Sequence, residues 1–174
     1  MARYPTLAAS AAAALALAAC ASYDMGPRAT ARLEPTRGSS VSGTVVFTQA
    51  GDTVRVRGEI RGLQPGTEHG FHIHEKGDCS SGDGMSAGGH FNPGGQPHGR
   101  HDGAAHHVGD LPSLRADASG VAVVDFESKT LVVGSGAADA VGRGLIVHRD
   151  PDDFTTQPTG NSGPRLACAA IAKG

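Results

Sequence analysis

Residues 70–110, GFHIHEKGDCSSGDGMSAGGHFNPGGQPHGRHDGAAHHVGD, constrain this chain more than any other feature. They carry His72, His74, His90, His98, His101, His106 and His107 in a run with little apolar periodicity. Phe71-His72-Ile73-His74 alternates, and residues two apart on a β-strand point to the same face. His72 and His74 should therefore project together, close enough for one metal ion. Beyond a glycine-rich turn come His90, His98 and His107, then Asp110 three residues after His107. Three imidazoles and one carboxylate complete a tetrahedral zinc set without a thiolate. A long stretch without regular structure inside a compact domain calls for a functional source of order. Metal ligation would supply it.

The remainder reads as short strands. Residues 41–49 form one. In residues 53–61, Val54, Val56 and Ile60 alternate with Arg55, Arg57, Glu59 and Arg61, the pattern of a half-buried strand with one wet face. Residues 62–66 are turn chemistry, and residues 68–75 form the strand that carries the first two histidines. Residues 120–126, 130–133, 145–148 and 165–172 are further strand candidates, with a second long loop over 149–164. No segment holds a helical period, and no internal repeat is present. With 26 glycines and no tryptophan, tight turns and small residues favour an antiparallel sandwich or flattened barrel over a helical bundle. The formal charge of −2 and the lack of a long basic run give no nucleic-acid footprint.

Three segments inside residues 70–113, GFHIHEKGDC, SAGGHFNP and HHVGDLP, are followed by LIVHRDPDD and GNSGPRLACAAI. In order and spacing they closely resemble the signature of the copper–zinc superoxide dismutases, and the resemblance covers residues 39–173. It implies an all-β, eight-stranded antiparallel Greek-key barrel or sandwich with long metal-binding and electrostatic loops. It also implies an activity: two superoxide anions become O2 and hydrogen peroxide as copper cycles between two oxidation states, while zinc stays structural. One copper and one zinc per subunit are expected.

The same resemblance assigns His72, His74, His90 and His148 to copper, and His90, His98, His107 and Asp110 to zinc. His90 is shared because each of its ring nitrogens serves one metal; its family counterpart releases copper on reduction and carries a proton. Asp152, four residues after His148, matches an aspartate that ties ligands of the two metals together, fixing imidazole orientation and tautomer. Arg165, three residues before Cys168, matches an arginine that faces the copper and attracts the anion. Cys79 and Cys168 match a disulfide pair. His69, His101 and His106 match nothing and read as surface histidines, with weak extra copper binding as the alternative. Loops 80–89 and 149–164 contain no lysine, although many family members place steering lysines there; Arg149 is the candidate replacement. The partner is the superoxide anion, and both a monomer and a homodimer fit the sequence. Competing readings are a copper carrier that keeps the fold without turnover and a structural lipoprotein with a vestigial site. Intact ligand sets and Arg165 favour the enzyme.

The N-terminus stands apart. Met1-Ala2-Arg3 is a short positive start, and residues 7–19 are an alanine-rich apolar run too short to span a membrane as a stable helix. This reads as a secretory signal. Leu17-Ala18-Ala19-Cys20 resembles a bacterial lipobox. The expected division is a lipoprotein signal peptide over 1–19, a lipidated tether over 20–38 beginning at Cys20, and a domain over 39–174. An ordinary signal peptide cut nearby and an uncleaved anchor are the alternatives. The lipobox reading places the protein in the bacterial cell envelope, on the periplasmic side, with the membrane contacted only through Cys20. It also leaves Cys79 and Cys168 as the remaining pair of three cysteines, in a compartment that permits their oxidation.

Overall fold

The computed structural model describes residues 26–174, and the lipobox with Cys20 lies outside the described residues. The chain forms nine strands: β1 (Arg28–Pro35), β2 (Ser42–Ala50), β3 (Thr53–Arg61), β4 (Glu68–His69), β5 (Phe71–His74), β6 (Leu114–Arg115), β7 (Ala122–Ser128), β8 (Gly144–His148) and β9 (Arg165–Lys173). A 3-10 turn at Met85–Ala87 is the sole helical element among the described residues. Seven strands make one sheet in the order β5-β8-β9-β1-β2-β3-β7, with β4-β6 as a small separate pair. Every strand pairing is antiparallel. The curled sheet has the expected all-β class, its strands divided seven and two.

Why these segments pair follows from their faces. In β3, Val54, Val56 and Ile60 are fully buried while Arg55, Arg57 and Arg61 are exposed. They meet Phe47 and Val45 of β2 and Val124 of β7 in one core. Each fully buried large side chain contributes roughly 1.5–3 kcal/mol relative to exposure.

Two expectations are corrected. Residues 28–35, assigned by sequence to a flexible tether, form β1, which pairs with β2 on one side and β9 on the other. Its inward positions are Ala29, Ala31 and Leu33. Methyl groups suit a central strand, but they leave only a faint alternation in the sequence. The folded domain thus extends N-terminal of residue 39. Residues 130–133 are not a strand either. Ser128 Oγ accepts hydrogen bonds from the backbone N–H groups of Thr130 (3.3 Å) and Leu131 (3.2 Å), turning the chain at the end of β7. Leu131 and Val133 still enter the core.

The histidine-rich loop is ordered by the edge of β5. Ile73 N–H donates to Gly109 O (2.8 Å), Phe91 N–H donates to Ile73 O (2.8 Å), and Gly109 N–H donates to Phe91 O (2.9 Å). An exposed strand edge is a template for unwanted pairing; here the loop itself closes it. The loop is also tied to β9 by the Cys79–Cys168 disulfide, with Cα atoms 5.8 Å apart and a sequence separation of 89. Closing a loop of that length contributes about 4–5 kcal/mol in the chain-entropy account.

Candidate metal centre

β5 is buried on both faces, and its two faces have different chemistry. Phe71 and Ile73 join the main core, so alternation sends His72 and His74 to the opposite side. Facing them is β8, whose Leu145 and Val147 enter the core, leaving Ile146 and His148 on the histidine side. The pairing of β8 with β9 shifts at Val147/His148, where Ala167 pairs with Val147 but Arg165 pairs with His148. The extra residue is Leu166. Bulges commonly re-aim a side chain near a site, and this one sets Arg165 opposite His148. The loop then brings His90 beside His74 and Asp110 beside His72 through isolated antiparallel bridges.

Two buried donor sets result, His72–His74–His90–His148 and His90–His98–His107–Asp110, the ligand atoms of each lying within 4.8 Å of one another. Hydrogen bonds to the far ring nitrogens decide which atoms face inward. His74 Nδ1 bonds Gly88 O (2.9 Å), His148 Nδ1 bonds Gly163 O (3.1 Å), and His72 Nε2 bonds Asp152 Oδ2 (2.6 Å). A carbonyl accepts only, so His74 and His148 carry their protons on Nδ1. Their Nε2 atoms nevertheless face each other at 3.3 Å, with no proton for either neutral ring to offer. His72 Nδ1 and His90 Nε2 are buried and have no partner in the protein. Unpartnered buried polar atoms are rare, and four convergent imidazole lone pairs suit a copper or zinc ion. The residues fit the metals.

Asp110 organises the second set. Its Oδ2 accepts from the backbone N–H groups of Gly99 (3.0 Å) and His107 (2.8 Å). Its Oδ1 faces Nδ1 of His90 (2.9 Å), His98 (3.0 Å) and His107 (3.2 Å). Burial alone would raise its carboxyl pKa, yet these bonds hold it far below the usual range. Asp152 joins the sets: Oδ2 accepts from His72 Nε2, while Oδ1 meets His98 Nε2 at 2.9 Å. Burial lowers His98, but its bonds to Asp110 and Asp152 outweigh that and raise it to about 9. His90 is pushed down to about 4, first by burial and despite its bond to Asp110. Burial, then the neighbouring imidazoles, also holds His74 and His148 well below the ordinary value. Those three rings are neutral at pH 7, the state a metal requires.

Several supporting residues escape a reading by residue type. The Gln157 side chain clamps the backbone of His98, accepting from its N–H (2.8 Å) and donating to its carbonyl (3.0 Å). Gly160 has φ +65°, and a Cβ there would overlap both Asp152 Oδ1 and His98 Nε2. Gly160→Ala should therefore displace Asp152 and weaken zinc retention by about 10–100-fold, the usual cost of losing such an outer support. Chelator competition measures this; unchanged zinc affinity would show that the bridge has no holding role.

Arg165 is half-buried, and its guanidinium donates to Gly84 O (2.5 Å) and Gly88 O (2.7 Å). Both carbonyls belong to the loop that the disulfide ties to β9. Arg149 forms two 2.9 Å bonds to Asp150, so its charge is paired beside its own backbone. His69 is a correction. It is 2 % exposed, with Nε2 2.7 Å from Thr67 Oγ1 and Nδ1 3.0 Å from His148 O. It lies two residues before Phe71 and four before Ile73, on the face that strand alternation buries, and its polar type masked that in the sequence. His101 and His106 are half-buried, each bonded through Nδ1 to a backbone carbonyl.

An antiparallel β scaffold with two adjoining histidine-rich donor sets that share one imidazole defines a dinuclear metal-binding protein. The family model described as copper/zinc superoxide dismutase matches residues 41–171, and the chain belongs to that family. It is 41 % identical over 135 residues to an extracellular Cu-Zn superoxide dismutase of Caenorhabditis elegans, covering 74 % of this chain and 60 % of that protein. It is 40 % identical to a Cu-Zn superoxide dismutase of Paramecium bursaria Chlorella virus 1, covering 75 % of this chain and 72 % of the viral one. The alignment thus spans about three fifths of the nematode protein's length. Among solved structures, the clock protein EA4 superposes with a TM-score of 0.77 at 37 % identity, over 85 % of this chain and 95 % of that one. Copper and zinc are the family's metals, and both donor sets are present to receive them.

Proposed function

We propose that this protein is a superoxide dismutase that protects the bacterial cell envelope. The observation that carries the reading is His90, whose Nδ1 faces the Asp110 set while its Nε2 stands unpartnered in the other. In this reading His72 Nδ1 and the Nε2 atoms of His74, His90 and His148 hold copper. The Nδ1 atoms of His90, His98 and His107 with Asp110 Oδ1 hold zinc. Copper supplies a one-electron couple, so that two superoxide anions and two protons give one O2 and one hydrogen peroxide. The protein's own part is positioning. Arg165 offers a fixed charge and N–H donors to a small anion, and His90 Nε2 is an atom at which a proton is held when it is not ligating. A copper carrier needs neither a shared imidazole nor that arginine. Superoxide consumption by the purified, copper- and zinc-loaded protein tests the assignment. Catalytic turnover supports it, and consumption that stops at one equivalent per copper indicates a carrier.

Export is the second part of the reading. The apolar N-terminal run, the lipobox-like Leu17-Ala18-Ala19-Cys20 and the disulfide support it, and the nematode relative is named as extracellular. With β1 beginning at Arg28, the tether after Cys20 shortens to residues 21–27. Even fully extended, those seven residues reach roughly 25 Å. Changing Cys20→Ser should release an active domain from the membrane fraction. A Cys20→Ser protein that still pellets with membranes in lipid-bearing form would show that the lipid sits elsewhere.

A further inference from the structure

We propose that His101 and His106 form a third, solvent-accessible metal site for an imidazole-seeking divalent cation such as Zn2+ or Cu2+. The two rings lie 5.6 Å apart between centroids with an interplanar angle of 51°. The pair His98–His107 inside the buried second set has nearly the same disposition, 5.5 Å and 54°. Two rings at this separation lie within reach of one ion, the inner pair through its Nδ1 atoms and the outer pair through Nε2.

Their tautomers are set for ligation. His101 Nδ1 lies 2.9 Å from Asp110 O, and His106 Nδ1 lies 2.7 Å from His107 O. Carbonyl oxygens accept only, so each Nδ1 carries the proton and each Nε2 keeps its lone pair. An imidazole whose far N–H is tied to a backbone carbonyl is the arrangement that orients histidine ligands and raises their basicity. His101 is further braced edge-on against Phe126 at 5.3 Å, which restricts the ring before any ion arrives. Both residues are half-buried rather than sealed, and His101 lines a polar cavity of about 270 Å3 with Glu68, Arg100, Asp102, Ser113 and Arg115. Solvent reaching the two half-buried rings would complete the coordination that two imidazoles leave open.

The anchoring carbonyls belong to Asp110 and His107, members of the buried second set. The outer pair is thus linked to that set through two imidazole–carbonyl hydrogen bonds. An ion there draws on His101 and His106 alone and leaves the buried ligands in place, so its occupancy adds to the two buried metals.

The experiment is isothermal titration of Zn2+, and separately of Cu2+, into protein already loaded with one copper and one zinc. Metal content is measured before and after. One additional equivalent, weaker than the buried two, is expected. His101→Gln and His106→Gln should each lower its affinity by at least about tenfold, in line with the loss of a determinant of metal binding, and the double variant should abolish it. The copper and zinc content of the loaded protein should not change. No third equivalent for either ion, or a third equivalent that persists in the double variant, overturns the proposal. The site rests on the reading of the buried sets as metal-filled only for its starting state. Failure of that reading is distinguishable, because fewer than two tight equivalents would appear during loading.

Discussion

Stripping both metals should lower the melting temperature further than any single substitution in the sheet. The donor sets are buried, with His72 and His74 at 0 % exposure and His90, His98, His107, His148 and Asp110 at 5 % or less. Without an ion, His72 Nδ1 and His90 Nε2 remain buried without partners, and such groups cost about 1–3 kcal/mol each. A ligand present at a thousand times its dissociation constant stabilises the folded state by about 4 kcal/mol. In a domain of this size each kcal/mol moves the midpoint by about 2–4 °C, so one such metal is worth on the order of 10 °C. Calorimetry of loaded, chelated and re-metallated protein measures the shift. A chelated protein that melts within about 2 °C of the loaded one would remove metal ligation from the account of stability and undercut the assignment of both donor sets.

How much of this was legible depends on which interaction marks a residue in sequence. β3 was readable because arginines and valines alternate across a wet and a dry face. β1 was not, because Ala29 and Ala31 are small enough to pass for linker composition even though both are fully buried. Residues 130–133 carried the right composition for a strand, but Ser128 turns the chain before any partner strand is met. The histidine sets divide similarly. The His72–His74 pair follows from β alternation alone. His98, His107 and Asp110 stood out by residue type and number, and the resemblance supported their assignment to zinc, since no periodicity orders the loop that presents them. Asp152 contacts His72 across 80 residues and His98 across 54, separations at which spacing says nothing about contact. Gln157 and the left-handed Gly160 have no chemical signature at all, and His69 looked like a surface residue because its partners are a neighbouring hydroxyl and a distant carbonyl. The bulge at Leu166 was equally silent, although it determines what stands beside His148.

Arg165→Glu should slow superoxide turnover by on the order of tenfold or more while the copper and zinc content stays unchanged. The side chain projects from the bulged start of β9 and is clamped by Gly84 O and Gly88 O, so its charge is fixed in place. Focused positive potential raises encounter rates with anions by about 10–10³-fold, a general range for steered enzymes, superoxide dismutases among them. Burial lowers the arginine's pKa, yet a guanidinium keeps its proton at neutral pH. Arg165→Lys keeps the charge and loses the planar fork that binds both carbonyls, so its rate should fall between parent and glutamate variant. Salt should have a modest effect on the parent. Arg149 is already paired with Asp150, loops 80–89 and 149–164 hold no lysine, and screening at 0.15 M acts over about 8 Å, leaving little long-range attraction to remove. Pulse-radiolysis rates on the fully metallated proteins, across ionic strength, measure both effects. Equal rates for the arginine, lysine and glutamate forms would exclude Arg165 from anion capture. A steep salt dependence in the parent would locate the attraction in charges other than this one.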